Sequence, residues 1–245
     1  MENIFRVLRL NHAILLLLLM LLGCQSREIL PKGTGTEYFP LKTGGYWVYD
    51  VVETVITQLG GQTNKTYELK IQLTDSIGID GQSSYVMVRS RRDNPSQPWI
   101  SVDTWSARRD QFQAIVQEGN TPFIKLAFPL AVGKTWNGNS LNSLGGTDRC
   151  ADGTFKCDNY TISDLAKRFE GSGIFFDDTV TILENNDNDP IVKQDVRKVV
   201  YAKSVGLIYK EISILEYCTI GACIGKQIVE NGSIVKQTVK EYGGL

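Results

Sequence analysis

The sequence predicts a mainly all-β protein: an antiparallel meander that forms a curved sheet, a sandwich or a barrel-like domain with two related halves. Three observations predict it. Apolar and polar residues alternate along many short segments, turn residues separate those segments, and one nine-residue motif occurs twice. Only 162–169 has a faint helical pattern. The predicted β domain covers residues 38–245, with halves at about 38–127 and 128–245.

The predicted strands follow from a period of two residues. From Tyr67 to Thr74, apolar and polar side chains alternate without interruption, which is typical of a half-buried strand. Asn231-Gly232 is a type I′ turn dipeptide and predicts a final hairpin. The strand candidates are 47–56, 67–74, 85–88, 99–107, 111–117, 158–165, 174–183, 191–202, 206–217, 224–230 and 233–241.

The motif F-P-L-x-x-G-x-x-W occurs twice, 89 residues apart. Its members are Phe39, Pro40, Leu41, Gly44 and Trp47 in the first copy, and Phe128, Pro129, Leu130, Gly133 and Trp136 in the second. The pattern indicates an extended proline segment, a tight turn at glycine and a tryptophan that fills the core where a strand begins. We expect a structural role for both copies, and a shared ligand site is the alternative.

The N-terminus has the features of a secretory signal peptide at residues 1–23. Arg6 and Arg9 precede the apolar run 13–22, which is about half of the roughly 20 residues that a membrane-spanning helix needs. Leu21-Leu22-Gly23-Cys24 resembles the lipobox of bacterial lipoproteins. That resemblance implies cleavage before Cys24 and acylation of its thiol and new amino group, with palmitate among the acyl chains. Three acyl chains give lasting membrane attachment. An ordinary secretory signal with a chance cysteine is the alternative.

Residues 24–37 are predicted to be a lipidated N-terminus and flexible tether, because the segment has Pro31, two glycines and no apolar periodicity. Residue 25 is Gln rather than the Asp that retains enterobacterial lipoproteins in the inner membrane. The lipobox resemblance therefore implies the outer membrane, with the domain facing the periplasm.

Charge and histidine content exclude several functions. Removal of Glu2, Arg6 and Arg9 with the signal leaves 24 basic and 26 acidic residues, a balance that argues against a nucleic-acid partner. The only histidine, His12, lies in the signal. Ser-His-Asp and Cys-His catalysis and imidazole zinc sites are thereby excluded from the mature chain.

Four cysteines remain after Cys24, and an oxidising envelope favours disulfides between them. We predict Cys150–Cys157 and Cys218–Cys223, which is one of three possible pairings. A four-cysteine zinc site is disfavoured because neither pair has C-x2-C spacing.

No cofactor, metal site or catalytic residue is predicted. Residues 184–190 carry the oxygen ligands of a calcium loop but lack the glycine that an EF-hand needs, so a hairpin loop is expected. Trp99 and Trp105 could stack on a sugar, although tryptophan at an alternating position more often belongs to the core. No phosphate loop, nucleophile elbow or metal triad is present.

Two segments resemble uncharacterised Bacteroidetes-type outer-membrane lipoproteins. They are Y-F-P-L-K-T-G-G-Y-W-V-Y at 38–49 and Y-A-K-S-V-G-L-I-Y-K-E at 201–211. The resemblance implies no activity. More loosely, the expected fold is similar to curved-sheet lipoprotein carriers, whose concave face holds acyl chains.

We therefore expect a lipid-anchored envelope lipoprotein with a non-catalytic structural or interaction role. The alternative is a carrier or binding module for an acyl chain, another lipid or a glycan, and an enzyme is the least favoured class. The expected partners are the membrane, through the lipid, and an envelope protein, lipid or glycan. A deep apolar concavity would favour the carrier, and a filled core would favour the scaffold.

Overall fold

A computed structural model shows that the described part of the chain is almost entirely β-structure, as the alternating pattern predicts. The structure describes residues 33–58, 61–79, 82–142, 148–149 and 155–245. The signal peptide, Cys24 and most of the predicted tether lie outside these ranges. No helix in the described part of the chain is long and apolar enough to cross a membrane.

The described residues contain fourteen strands and two short 3-10 turns. The strands are β1 (Tyr46–Thr57), β2 (Gly61–Ile79), β3 (Gln82–Arg92), β4 (Ile100–Arg109), β5 (Gln113–Glu118), β6 (Thr121–Ala127), β7 (Thr135–Asn137), β8 (Asp148–Arg149), β9 (Phe155–Cys157), β10 (Asn159–Gly171), β11 (Ile174–Asp189), β12 (Lys193–Ala202), β13 (Gly206–Tyr217) and β14 (Val229–Gly243). The 3-10 turns are Thr36–Tyr38 and Gly221–Cys223.

Twelve of the strands in the described ranges form one antiparallel sheet that is nearly closed into a barrel. Its order is β6-β5-β4-β3-β2-β1-β14-β13-β12-β11-β10-β7, and β8 pairs with β9 separately. The edge strands β6 and β7 approach each other. Ile124 N donates to the carbonyl oxygen of Gly138 at 2.8 Å, and Trp136 Nε1 donates to the carbonyl oxygen of Ile124 at 2.8 Å. These bonds bring the two edges together.

Consecutive antiparallel strands place alternate turns at the same end of the barrel. The N-terminal segment 33–45 lies at one end, together with the turns at 110–112, 128–134 and 203–205. We call this the plugged end. The turns at 119–120 and 190–192 and the loop 218–228 lie at the far end.

The segment 36–41 closes the plugged end. Tyr38 and Phe39 are buried in the core, and the ring of Phe39 lies 6.0 Å from that of Tyr201. The Arg109 guanidinium donates through Nη1 to the carbonyl oxygens of Thr36, at 2.5 Å, and Phe39, at 2.7 Å. The last residues of the predicted tether are therefore held against the domain.

The two copies of the repeated motif make the same backbone contacts. Gly44 and Gly133 both have positive φ, +91° and +81°, which glycine adopts without steric cost. Gly44 N donates to the carbonyl oxygen of Leu73, and Gly133 N donates to that of Ile162, both at 2.8 Å. Each acceptor lies 29 residues after its glycine. The motif thus has the same local structure at β1 and at β7.

Apolar side chains fill the barrel towards the plugged end. One cluster includes Leu126, Phe128, Ile162, Val180 and Ile182, and a second includes Trp47, Tyr49, Leu73, Ile208 and Val239. All ten are less than 9% exposed. The apolar core therefore lies at the plugged end of the barrel.

One prediction of local structure, the final hairpin, is wrong, and one faint helical pattern lies within a strand. β14 runs without a turn through Asn231-Gly232, so the predicted hairpin is absent. Gly232 pairs with Leu215 in β13, and a Cβ at this position would overlap the carbonyl oxygen of Ile214, so glycine permits a close approach of two strands. The faintly helical segment 162–169 belongs to β10, in which three register shifts disturb the two-residue period.

Two further segments differ from expectation. Residues 184–189 continue β11 instead of forming a loop, and the turn follows at 190–192. β6 was not predicted because Pro122 interrupts its pattern. Proline removes a hydrogen-bond donor and is tolerated at the edge of a sheet, which is where β6 lies.

Candidate functional site

A cluster of charged side chains lies inside the barrel beyond the apolar core. Lys125 on β6 is only 8% exposed. Its ammonium nitrogen lies 2.9 Å from Glu118 Oε1 on β5 and 3.0 Å from Glu184 Oε1 on β11. Because β5 and β6 are near one edge of the sheet and β11 is near the other, Lys125 connects the two sides of the near-closed barrel.

The two carboxylates keep Lys125 charged. Burial opposes the charged form, but Glu184 and Glu118 together raise the pKa of Lys125 well above its ordinary value. Burial alone would raise the pKa of Glu118, yet Lys125 and Lys210 lower it below its ordinary value. Lys125 and Glu118 are therefore both ionised at neutral pH, and Glu118 and Glu184 each contact Lys125 through one oxygen.

Lys210 on β13 is the second cation of this group. It lies deep in the barrel, and the surface that it retains lines the internal cavities. Burial, together with the charge of Lys125, lowers the pKa of Lys210 below its ordinary value. Its ammonium makes no hydrogen bond and no ion pair with any residue that the structure describes. A buried ammonium with three unused donors requires water or a ligand.

Two cavities meet at these charges. A cavity of about 90 Å³ lies towards the plugged end and is lined by apolar residues that include Leu41, Trp47 and Leu73. A second cavity of about 350 Å³ lies towards the far end, next to Phe123 and Ile214. Glu118, Lys125, Glu184 and Lys210 line both, and we call these four residues the charged cluster.

Two tyrosines add neutral polar groups around the charged cluster. Tyr160 lines the larger cavity and Tyr201 the smaller one. Burial raises the pKa of both phenols far above the ordinary value, so both remain neutral. Neither hydroxyl has a hydrogen-bond partner among the described residues. Each can therefore donate to a ligand or accept from one.

Arg89 borders the charged cluster from β3. Its Nη1 lies 3.3 Å from Asp103, its guanidinium stacks 3.7 Å above the ring of Trp105, and its buried Nε has no partner in the described chain. The guanidinium of Arg92 likewise lies 4.3 Å above the ring of Trp99. Both tryptophans that could have stacked on a sugar therefore already have an arginine on one face.

The larger cavity is balanced in charge. Among the described residues that line it, three are acidic and three are basic: Glu118, Asp158, Glu184, Lys125, Arg197 and Lys210. The Arg197 guanidinium is in turn held by Asp195, through two bonds of 2.8 Å. The cavity thus offers hydrogen-bond donors and acceptors together, without an excess of either charge in its lining.

The predicted cysteine sites are described in part. Cys218 and Cys223 form a disulfide with a Cα–Cα distance of 5.8 Å, in the loop at the far end. Cys157 is disulfide-bonded, and Cys150 lies outside the described residues, as does Cys24. No group of three or more His, Cys, Asp or Glu side chains in the described ranges is placed to hold a metal ion.

The motif residues lie at the plugged end rather than at the charged cluster. Phe39, Phe128 and Trp47 are buried, and Trp47 Nε1 donates to the carbonyl oxygen of Val205 at 2.7 Å. Trp136 is half-buried at the sheet edge. Pro40, Leu41 and Trp47 of the first copy line the small apolar cavity.

Neither Lys125 nor Lys210 was predicted as a site residue, although the sequence carries a signal for both. Lys210 shares its phase with Ile212 and Ile214, and Lys125 shares its phase with Phe123. All three of these neighbours line the larger cavity. A lysine in phase with apolar residues on a predicted strand indicates an inward ammonium.

Comparisons with known proteins find solved structures of similar shape but do not assign the chain to a family. No family model matches the chain, and no curated protein matches it. A chain from Bacteroides fragilis NCTC 9343, described as a candidate exported protein with a YmcC-like fold, has a TM-score of 0.41 at 12% identity. A candidate lipoprotein from Parabacteroides distasonis ATCC 8503 has a TM-score of 0.38 at 11% identity. Each likeness covers 84% of this chain and 98% of the other. At TM-scores below 0.5, neither transfers a function or a residue's role.

Proposed function

We propose that this chain is a lipid-anchored envelope lipoprotein whose barrel binds a small polar ligand without catalysis. The observation that carries the proposal is the ammonium of Lys210, which has no partner among the described residues and lines a cavity of about 350 Å³. That volume lies in the range of small-molecule sites, roughly 300–1,000 Å³. An ammonium buried among charges is costly unless its donors are used. A ligand that accepts these bonds would relieve the cost.

The form of the interior favours a polar ligand over an acyl chain. The apolar cavity has only about 90 Å³, and the segment 36–41 closes the barrel beside it. The larger cavity has charged residues on several strands. An acyl chain placed there would strip water from these charges without replacing its hydrogen bonds. The carrier alternative is therefore kept, but with a polar ligand, and a purely structural role becomes the second candidate.

The charged cluster is also poorly suited to acid–base catalysis. A general base at neutral pH works best with a pKa near 7. Lys125 and Lys210 instead hold the pKa of Glu118 below its ordinary value. A carboxylate held in this way binds hydrogen-bond donors well but is a weak base, which supports a non-catalytic role.

The proposed anchor is acylated Cys24, and the proposed location is the periplasmic side of the outer membrane. The described chain begins at Gly33 at the plugged end. The larger cavity lies towards the opposite end of the barrel. A domain connected to the membrane through its plugged end would leave the far end available to a ligand from the periplasm.

Native mass spectrometry of the full chain, purified gently from an envelope extract, tests the binding proposal. We expect a bound small-molecule mass that is released by unfolding. A chain that carries only its acyl groups would contradict the proposal and favour the structural role.

Mass analysis of the N-terminal peptide tests the anchor separately. We expect an acylated Cys24 in the wild-type chain and an uncleaved, unacylated precursor for Cys24→Ala. An unmodified Cys24 in the mature wild-type chain would contradict the lipid anchor while leaving the binding proposal intact.

A further inference from the structure

The hydrogen-bonding groups around the charged cluster restrict the chemistry of the ligand. Lys210 offers hydrogen-bond donors that no described residue uses. Glu118 and Glu184 each contact Lys125 through Oε1, so their second oxygens are available as acceptors. A ligand that only accepts or only donates would satisfy half of these groups.

The charge balance restricts the ligand further. An anion that approached Lys210 would also approach Glu118 and Glu184, which act electrostatically on Lys210 in this structure. A cation would meet the ammonium groups of Lys125 and Lys210. A charged ligand of either sign is therefore attracted by some groups of the charged cluster and repelled by others. A neutral molecule that carries several hydroxyl groups avoids this conflict, because each hydroxyl donates and accepts.

We propose that the ligand is a neutral polyhydroxyl compound, a saccharide unit, bound in the larger cavity with its hydroxyls between Lys210 and the carboxylates of Glu118 and Glu184. The inference rests on the proposed binding function and names the ligand class for the same site. Tyr160 lines the same cavity, and its hydroxyl, which has no partner in the described chain, is a neutral donor and acceptor. The ring of Phe123 supplies an apolar wall beside it.

Isothermal titration of the full-length protein in detergent tests this assignment. The neutral probes are glucose, galactose, N-acetylglucosamine and maltose, and the contrasting probes are glucuronate, glucosamine and palmitate. We expect at least one neutral saccharide to bind, and its acidic or basic counterpart to bind about tenfold more weakly or not at all. Tighter binding of glucuronate, glucosamine or palmitate than of every neutral saccharide would overturn the inference.

Two matched variants locate the binding site. Lys210→Met removes the ammonium and keeps the length of the side chain. Lys236→Met removes a lysine on β14 whose side chain is 52% exposed and pairs with Glu211 at 3.5 Å. We expect Lys210→Met to weaken saccharide binding about 10- to 100-fold, the range for a hydrogen bond to a charged group, and Lys236→Met to leave it unchanged. Equal binding by all three proteins would overturn the assignment to this cavity.

The failure of this inference can be distinguished from failure of the proposed function. Binding of a charged or apolar probe that depends on Lys210 refutes the saccharide class but keeps a ligand in the barrel. No binding by any neutral saccharide also refutes the class. The binding function itself is judged by the mass of material retained during purification from the envelope.

Discussion

Replacing Lys125 with methionine should destabilise the barrel strongly at neutral pH. Lys125 is 8% exposed and lies 3.0 Å from the buried carboxylate of Glu184 and 2.9 Å from the half-buried carboxylate of Glu118. Removing one member of a buried charge group leaves the others uncompensated and costs about 3–5 kcal/mol. We therefore expect the free energy of unfolding of Lys125→Met to fall by about that amount at pH 7.

The loss should shrink as the pH is lowered. In the wild-type protein the pKa of Glu118 is lowered, so its ionised form contributes stability above its unfolded pKa of about 4.3 and loses it as the pH falls through the folded value. In the variant, burial without Lys125 leaves the pKa of the Glu118 carboxyl group higher than in the wild-type protein. The destabilising effect of this carboxylate is then relieved as the pH falls through the higher value. The difference between the two proteins should therefore be smaller at pH 5 than at pH 7.

Equilibrium urea unfolding of the full-length protein in detergent, followed by tryptophan fluorescence at pH 7 and pH 5, measures this difference. Lys193→Met is the matched control, because Lys193 pairs with Asp187 at 2.5 Å on a surface where both side chains are 50% exposed. Ion pairs between exposed side chains contribute little to the free energy of unfolding, so we expect the control variant to stay close to the wild-type protein. A loss below 1 kcal/mol for Lys125→Met, or an equal loss at both pH values, would refute the reasoning.

Three further predictions concern the plugged end and the far-end loop. Trp47→Ala should lower the free energy of unfolding by about 3–5 kcal/mol, measured in urea, because the ring of Trp47 is buried. Trp136→Ala should lower it clearly less, because Trp136 is only half-buried, and equal losses would contradict this difference in burial. Arg109→Met should cost about 1.5–3 kcal/mol and increase proteolysis near residue 36, and unchanged protease resistance would contradict the role of Arg109 in the plug. Peptide mapping without reductant should recover Cys218 joined to Cys223, and a link from either to another cysteine would contradict the described loop.

The general fold was predictable because its strongest signals are local. The alternation from Tyr67 to Thr74 lies within β2, and the repeated motif predicted a turn at Gly44 and at Gly133, where the structure has positive φ at both positions. These features depend on a few neighbouring residues and on steric limits of the backbone. The strand and the two turns can therefore be predicted without knowing which strands pair.

The charged cluster was not predicted because it depends on contacts that are distant in the sequence. Lys125 and Glu184 are 59 residues apart and meet only because the near-closure of the sheet brings β6, at one edge, close to β11, near the other edge. The register shift between Val200 and Tyr201 also changes the phase of β13 relative to β12 near Lys210. Which buried donors remain without a partner depends on how the sheet closes into a barrel. No local sequence pattern determines that closure.

The most direct test of the account is a crystal structure of the full chain purified from an envelope extract without denaturation. We predict electron density for a hydroxyl-rich molecule in the larger cavity, with oxygen atoms within hydrogen-bond distance of Lys210 Nζ and of a carboxylate oxygen of Glu118 or Glu184. The density should be absent when Lys210→Met is prepared in the same way. A cavity that contains only ordered water in both proteins would contradict the account.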